Sequence, residues 1–202
     1  MSRTLRIGLT GGIGTGKSTV AQILVRRGAA LVDTDAIART LTAPGGAALP
    51  ALRDAFGPDV FTADGALDRA RMRDLAFGDA AQRARLESIL HPLIGSEAMR
   101  QGQSGNAPVI VYDVPLMTPD SRWRARVDAV LVVDCEEETQ VERVLRRPGW
   151  ERATVERVMR QQLSREQRRG LADAVIYNDA LTLDELEREV DAVWQQWVEA
   201  TL

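Results

Sequence analysis

The residues best suited to chemistry form one glycine-rich run, Gly11-Gly12-Ile13-Gly14-Thr15-Gly16-Lys17-Ser18-Thr19, which fits the pattern G-x-x-x-x-G-K-[ST]. Glycines allow backbone N–H groups to converge on phosphate oxygens without Cβ clashes. In this pattern Lys17 reaches the β- and γ-phosphates, the Ser18 hydroxyl ligates Mg²⁺, and Thr19 can donate to the α-phosphate. The run therefore predicts a site for a magnesium–nucleoside triphosphate. The alternative is a glycine-rich turn without a ligand.

A second candidate is the acidic pair in Asp33-Thr34-Asp35, which follows the apolar residues 30–32. In open α/β sheets, ligands bind outside the carboxyl ends of the strands. A carboxylate at such a position can accept a proton from an attacking hydroxyl and help to hold Mg²⁺. The alternative is helix capping, with Asp35 as the N-cap of a helix that begins at Ala36.

A third acid, Asp113, ends the apolar run Val109-Ile110-Val111-Tyr112. That pattern is typical of a Walker B strand, whose aspartate holds Mg²⁺ directly or through water. The alternative is an aspartate in the turn that follows the strand. A water-mediated magnesium site at Ser18 and Asp113 is the prediction.

Two further features involve cations. The segment from Arg143 to Arg169 is rich in arginine, which fits either a solvated charged helix or a lid that closes over a nucleotide. The only histidine, His91, precedes Pro92 and could bind a phosphate or act as an acid or base. The alternative is a structural histidine before a proline that starts a helix. With one histidine and one cysteine, the sequence contains no zinc constellation.

These residues must be positioned by the elements around them, and short apolar runs alternate with helical patterns along the chain. Buried strands are predicted at 5–9, 30–32, 109–112, 129–133 and 174–176, and helices at 17–27, 36–41, 137–146, 154–170 and 183–198. Residues 43–107 interrupt this order with helical patterns, and Gly102–Asn106 would lead back to the core. We therefore predict a three-layer αβα fold with a parallel sheet and a helical insertion.

Composition excludes several other classes of protein. The 202 residues include 45% hydrophobic residues, enough for a sizeable core, and the formal net charge of −3 argues against general nucleic-acid binding. The single cysteine, Cys135, rules out an internal disulfide framework and is expected to pack in the core. No apolar stretch has the length of a signal core or a membrane span, so we expect a soluble, cytoplasmic protein.

Taken together, the motifs resemble the dephospho-coenzyme A kinase family over nearly the whole chain. The resemblance is carried by Leu9–Thr19, Asp33–Arg39, Asp64–Arg69, His91–Ile94, Asp113–Leu116, Gln140–Arg143, Gln162, Ala172-Asp173 and Asn178. Apart from the glycine run, no single motif is specific, but their order and spacing are. One departure is that the family often has Pro-Leu-Leu-Phe-Glu after the third strand, where this chain has Pro115-Leu116-Met117-Thr118-Pro119. Proline supplies no carboxylate, so we assign this loop no role.

The resemblance implies a P-loop kinase that phosphorylates the ribose 3′-hydroxyl of dephospho-coenzyme A with Mg·ATP, the last step of coenzyme A biosynthesis. It implies a nucleotide-binding core at 1–42, 108–145 and 170–202, a helical acceptor-binding domain at 43–107 and a lid at 146–169. The roles it implies are catalysis for Asp35, Lys17 and Arg39, acceptor binding for Asp35, Arg39, Arg69 and His91, and ATP binding for the glycine run, Arg143 and Asn178. The expected partners are ATP and dephospho-coenzyme A, without nucleic acid or membrane, in a monomer or weak homo-oligomer.

Three other functions compete with this one. One is another small-molecule or nucleotide kinase on the same core, such as a nucleoside monophosphate kinase. That family uses a different acceptor segment, which the Asp-x-Asp and His-Pro positions fit poorly. A GTP-dependent switch should contain an Asn-Lys-x-Asp motif, which this sequence lacks. A nucleotide-binding module without transfer activity would not need Asp35 or the arginine-rich segment.

Overall fold

The computed structural model describes residues 4–104 and 107–199, and its centre is a five-stranded sheet in the order β2-β3-β1-β4-β5. The strands are β1 (Leu5–Gly11), β2 (Ala30–Asp33), β3 (Val109–Asp113), β4 (Ala129–Asp134) and β5 (Ala174–Tyr177). The pairs β1–β3, β1–β4 and β4–β5 are parallel. All five predicted strands are confirmed, and each extends one or two residues beyond its predicted end, because backbone pairing continues after the apolar run stops.

Helices connect these strands. They are α1 (Lys17–Arg26), α2 (Thr34–Leu41), α3 (Leu49–Phe56), α4 (Arg69–Gly78), α5 (Ala80–Gln103), α6 (Glu137–Leu145), α7 (Arg152–Gln161), α8 (Arg165–Arg169) and α9 (Leu183–Glu199), with a short 3-10 turn at Pro58–Val60. None of the helices in the described ranges is long and apolar enough to cross a membrane.

The main hydrophobic core lies between β1 and the helices α1 and α9. Ile7 and Leu9 of β1 pack with Ile23 of α1 and Val190 of α9, and all four are buried. The apolar residues of α9 recur every three or four positions, which aims one face of the helix at the sheet. The strand β1 ends at Gly11, the first residue of the glycine run.

The other face of β1 is covered by the chain that follows β3. Gly8 lies between Ile7 and Leu9, so it faces the opposite side of the sheet. A Cβ at Gly8 would lie 2.7 Å from Met117 Cε, and the ring centroids of Tyr112 and Trp123 are 5.5 Å apart. In this segment the Ser121 N–H donates to the Thr118 carbonyl at 3.0 Å, which makes a turn. Pro119 is the second residue of that turn, a position that proline favours.

The chain divides into two compact units. The first contains the described residues up to Val32 and those after the gap at 105–106, and the second runs from Asp33 to Ser104. The second unit contains α2 to α5 and one isolated antiparallel bridge, Phe61–Leu67. This unit is helical and begins at Asp33, whereas the insertion was expected to begin at residue 43. Gly102 and Gln103, expected in a loop, finish α5 instead, and Gly105 and Asn106 lie outside the described residues.

One expectation about the helices was wrong, and one alternative is excluded. The single helix expected over 154–170 is two helices, α7 and α8, because the Ser164 side chain accepts a hydrogen bond from Gln167 N–H while the Gln167 side chain accepts one from Ser164 N–H. Such a reciprocal capping box starts a new helix. Pro92 does not start a helix but lies inside α5. Proline lacks the backbone N–H that would donate to the Ser88 carbonyl in a regular helix. Pro92 and Ser88 are both exposed, so this carbonyl faces water.

Candidate active site

The glycine run forms a loop between β1 and α1. Gly14 and Gly16 have φ values of 79° and 93°, in the left-handed region that favours glycine. The buried Thr15 closes the loop, because its hydroxyl donates to the Gly12 carbonyl at 2.9 Å. Gly16 is the N-cap of α1 and supplies no capping side chain, so the first N–H groups of α1 remain available to an anion.

Two predicted nucleotide-binding residues hold this loop from outside. The Asn178 side-chain amide donates to the Thr15 carbonyl at 2.8 Å, and Arg143 Nη1 donates to the same carbonyl at 3.4 Å. A Cβ at Gly16 would overlap the Asn178 amide. Residue 16 must therefore be glycine both for its backbone conformation and for the approach of Asn178.

The structure pairs Lys17 with Asp113. Leu9 of β1 lies beside Asp113 of β3 in the parallel register, so Asp113 stands at the same end of the sheet as the glycine loop. The Lys17 ammonium donates to a carboxylate oxygen of Asp113, and each side chain is 15% exposed. The ammonium and carboxylate of the two predicted residues therefore meet beside the start of α1.

The two residues predicted to hold magnesium, Ser18 and Asp113, both carry oxygen ligands. Ser18 is the second residue of α1, and it is exposed and carries a hydroxyl. Asp113, at the end of β3, supplies a carboxylate. Mg²⁺ prefers oxygen ligands and usually keeps several waters while it binds one or two protein groups and substrate phosphates. Within residues 4–104 and 107–199, no three His, Cys, Asp or Glu side chains converge on a common point. A metal at this position would therefore need water and phosphate oxygens to complete its shell.

In the second unit, a different aspartate of the Asp-Thr-Asp motif caps the helix from the one that the capping alternative named. Asp33 is the N-cap of α2, since its side chain accepts from Ala36 N–H at 2.9 Å. Asp35 lies in the first turn of α2 and is exposed, so its carboxylate is not used in capping. Arg39, one turn later and also exposed, lies 3.4 Å from the Asp33 carboxylate.

The other predicted acceptor residues are placed on α4 and α5. Arg69 begins α4, and its guanidinium donates to the Thr42 hydroxyl at 2.7 Å, which joins α4 to the end of α2. His91 is exposed on α5 and is not a buried structural histidine. A pocket of about 410 Å³ in this unit lies between α2, the loop after it and α5. Its lining is mostly apolar, with Glu97 as its one charged residue, and it includes Ile37, Thr40, Gly46 and Gln101.

Several arginines of the arginine-rich segment form salt bridges with acidic side chains. Asp134, 1% exposed at the end of β4, binds both Arg165 and Arg169 of α8. Arg165 also pairs with Glu136, and these hydrogen bonds to Asp134 and Glu136 raise the pKa of the guanidinium. Arg165 and Arg169 therefore anchor α8 to the sheet. Sequence reasoning did not find this anchor, although Asp134 ends its strand with an acid as Asp33 and Asp113 do.

Cys135, next to that anchor, is fully buried, as expected. Burial raises the pKa of its thiol to about 11, which keeps the thiol neutral and unreactive. The only cysteine is therefore part of the packing rather than a nucleophile.

The comparisons with known proteins agree with this geometry. A family model described as dephospho-CoA kinase matches residues 5–184. A dephospho-CoA kinase of Burkholderia lata is 52% identical over 192 residues, which cover 95% of this chain and 95% of that protein. The crystal structure of TT1252 from Thermus thermophilus superposes with a TM-score of 0.83 at 32% identity, covering 96% of this chain and 98% of the other. Dephospho-CoA kinase from Campylobacter jejuni shares the fold, with a TM-score of 0.70 at 21% identity and 98% coverage of both chains.

Proposed function

The chain belongs to the dephospho-CoA kinase family, and from this we propose that it transfers the γ-phosphoryl group of ATP to the ribose 3′-hydroxyl of dephospho-CoA. The products are coenzyme A and ADP, and the reaction completes coenzyme A biosynthesis. The observation that carries the proposal is the pairing of Lys17 with Asp113 at a glycine loop, in a chain whose family match spans residues 5–184.

The glycine loop binds the triphosphate. Backbone N–H groups at the start of α1 that have no partner among the described residues donate to the phosphate oxygens, and Lys17 moves its ammonium from Asp113 to the β- and γ-phosphates. Because phosphoryl transfer proceeds through a loose, highly charged transition state, positioning and electrostatic stabilisation supply most of the rate. Arg143, already within reach of the loop, and Asn178 contribute to the ATP site from their positions on the Thr15 carbonyl.

The magnesium ion belongs to the same site. Ser18 and, through water, Asp113 would hold it, and when bound it neutralises negative charge on the β- and γ-phosphates. Asp113 therefore has two successive tasks, as the partner of Lys17 in the free protein and as a water-mediated metal ligand in the complex.

The acceptor hydroxyl is oriented by Asp35. Its exposed carboxylate does not cap the helix, because Asp33 is the N-cap of α2. A carboxylate in this role accepts a hydrogen bond from the attacking hydroxyl and can take its proton. Arg39, one turn further along α2, and His91 provide positive or hydrogen-bonding groups for the acceptor's phosphates.

The remaining contacts concern the rest of the acceptor. Arg69 is fixed at the junction of α2 and α4, so its charge has a defined position for an anionic group. The pocket beside α2 has a mostly uncharged lining that suits the amide-containing arm of dephospho-CoA. The segment 146–169 acts as a lid, in which arginines that precede the anchored α8 close over the nucleotide and exclude water. A cytoplasmic location and a monomeric or weakly associated state complete the proposal.

The decisive experiment compares candidate acceptors in an ADP-release assay with Mg·ATP. Dephospho-CoA should give acceptor-dependent ADP, whereas AMP, shikimate and gluconate should give only the background rate. Product analysis by mass spectrometry should find one added phosphoryl group on dephospho-CoA. If ADP release did not depend on dephospho-CoA, or if another acceptor were preferred, the proposal would be rejected.

A further inference from the structure

The glycine loop is backed by two buried polar side chains that the function described above does not use. A Cβ at Gly12 would lie 2.7 Å from Gln140 Oε1 and 2.8 Å from Arg168 Nη2. Gln140 is fully buried and Arg168 is 6% exposed. Glycine at position 12 therefore leaves the space that an arginine guanidinium and a carboxamide fill behind the loop.

The hydrogen bonding of these two side chains is incomplete. Arg168 Nη1 donates to the Leu163 carbonyl, but its Nε is buried without a partner. The Gln140 amide donates to the Cys135 carbonyl at 3.2 Å, while its Oε1 is buried without a partner. Buried polar groups without partners are rare and costly, so the retention of both beside Gly12 calls for a reason other than stability.

The charge of Arg168 supplies such a reason. Burial lowers the pKa of this guanidinium, but an arginine starts so high that it remains protonated near neutral pH. Asp134 and Glu137 attract this guanidinium electrostatically, but Asp134 already binds Arg165 and Arg169. A positive charge that is poorly screened by water acts over a longer distance than an exposed one. Arg168 therefore adds positive potential behind a loop that must hold a highly negative ligand.

A second contact joins the same segment to the loop. The Ile13 N–H donates to Gln162 Oε1 at 3.0 Å. Residues 162 and 168 thus contact consecutive loop residues, 13 and 12, from either side of the Ser164 cap. A displacement of the arginine-rich segment would therefore also change these contacts with the glycine loop.

We propose that Arg168 is a positioning residue for ATP binding: its buried guanidinium, packed with Gln140 behind Gly12, sets the conformation and potential of the glycine loop without touching the nucleotide. The proposal rests on the proposed function in that its ligand is Mg·ATP. It assigns to Arg168 a role different from that of Arg165 and Arg169, which anchor α8 to Asp134.

The test is the affinity of the full-length chain for a non-hydrolysable ATP analogue with Mg²⁺, measured by isothermal titration calorimetry. Arg168→Met keeps the length of the side chain and removes the charge, and Arg168→Lys restores the charge. We expect Arg168→Met to weaken binding about tenfold with no loss of melting temperature, since apolar replacement of a buried charge is often neutral for stability. Arg168→Lys should recover most of the affinity, and Arg188→Met on the exposed face of α9 should match the wild type.

A second variant keeps the proposal testable if Arg168→Met fails to fold. Gly12→Ala would place a Cβ against the flexible ends of Gln140 and Arg168, which can shift without moving backbone. It should weaken analogue binding, and the double variant Gly12→Ala/Arg168→Lys should lose less than the sum of the two single effects. Unchanged affinity in Arg168→Met, or full additivity in the double variant, overturns the proposal. These outcomes do not involve dephospho-CoA, so they stay distinct from a failure of the proposed function, which would show as absent acceptor-dependent ADP in the wild type.

Discussion

The side-chain amide of Asn178 donates a hydrogen bond to the backbone carbonyl of Thr15 at 2.8 Å, although the two residues are 163 positions apart in the chain. Asn178 follows β5, and its own N–H donates to the Asp134 carbonyl at the end of β4 at 2.7 Å. The glycine loop is therefore held in place through two neighbouring strands. The shape of the phosphate site depends on the last strand of the sheet as well as on the loop's own glycines.

The first prediction concerns this contact. Asn178→Asp retains the size of the side chain but replaces the donor with an acceptor, which faces the Thr15 carbonyl oxygen. We expect the KM for ATP to rise about tenfold or more, because a lost hydrogen bond is joined by repulsion between the two oxygens. Asn178→Ala should have a smaller effect in the same assay. An Asn178→Asp enzyme with the ATP affinity of the wild type would show that the contact does not shape the site.

The second prediction concerns Asp113 and metal dependence. Asp113→Asn removes a carboxylate that pairs with Lys17 and is proposed to hold Mg²⁺ through water. The Mg²⁺ concentration for half-maximal activity should rise about 10- to 100-fold, the usual effect of losing an outer ligand of a bound metal. The measurement is ADP release at fixed ATP over a magnesium titration, with chelator as the zero point.

A matched control for that experiment is Asp120→Asn. Asp120 is an exposed acid seven residues further along, in the loop that departs from the family pattern, and no role is assigned to it. Its magnesium dependence should equal that of the wild type. Equal shifts in the two variants would contradict a specific role for Asp113.

The third prediction separates Asp35 from Asp33. Asp35→Asn should lower kcat by about 100-fold or more, as expected for loss of a general base, and change the dissociation constant for ATP little. Asp33→Asn is the control, because asparagine caps helices as well as aspartate does. Its kcat should stay near the wild-type value. Parallel losses of turnover and ATP affinity in Asp35→Asn would reject the assigned role.

The fourth prediction uses the buried cysteine. Because burial raises the pKa of the Cys135 thiol to about 11, the folded protein holds the thiol proton more tightly than the unfolded chain does. This contribution to stability is present below the ordinary thiol pKa and is lost as the pH rises toward the folded value. Alkylation at pH 8 should be very slow in the folded protein and should become fast in denaturant. Rapid alkylation of the native protein, followed by mass spectrometry, would contradict the buried, neutral state.

Much of the fold could be predicted because the signals are local. Apolar runs of strand length marked all five strands, and glycines at positions 14 and 16 matched the positive φ values that the loop requires. The ends of elements were less predictable, since they depend on capping. Asp33 rather than Asp35 caps α2, and a reciprocal pair at Ser164 and Gln167 divides the expected helix in two.

The site was predicted as a set of residues, but not as a set of contacts. Lys17, Asp113, Arg143 and Asn178 were expected from motifs and from the family resemblance, and the structure brings all four to the glycine loop or its neighbour strand. The buried guanidinium of Arg168 carried no comparable signal. In the sequence it is one arginine among many, and only its packing behind Gly12 distinguishes it.

The sequence by itself determined the strands, the phosphate-binding loop and the acids that end the strands, because each depends on residues close together in the chain. The tertiary structure alone decided which of these residues meet. Lys17 finds Asp113 across 96 positions, and Arg165 and Arg169 are tied to Asp134 while Arg168 lies behind the loop. The physical reason is that strand order, register and helix caps set these distances, and those depend on how the whole sheet packs rather than on any local pattern.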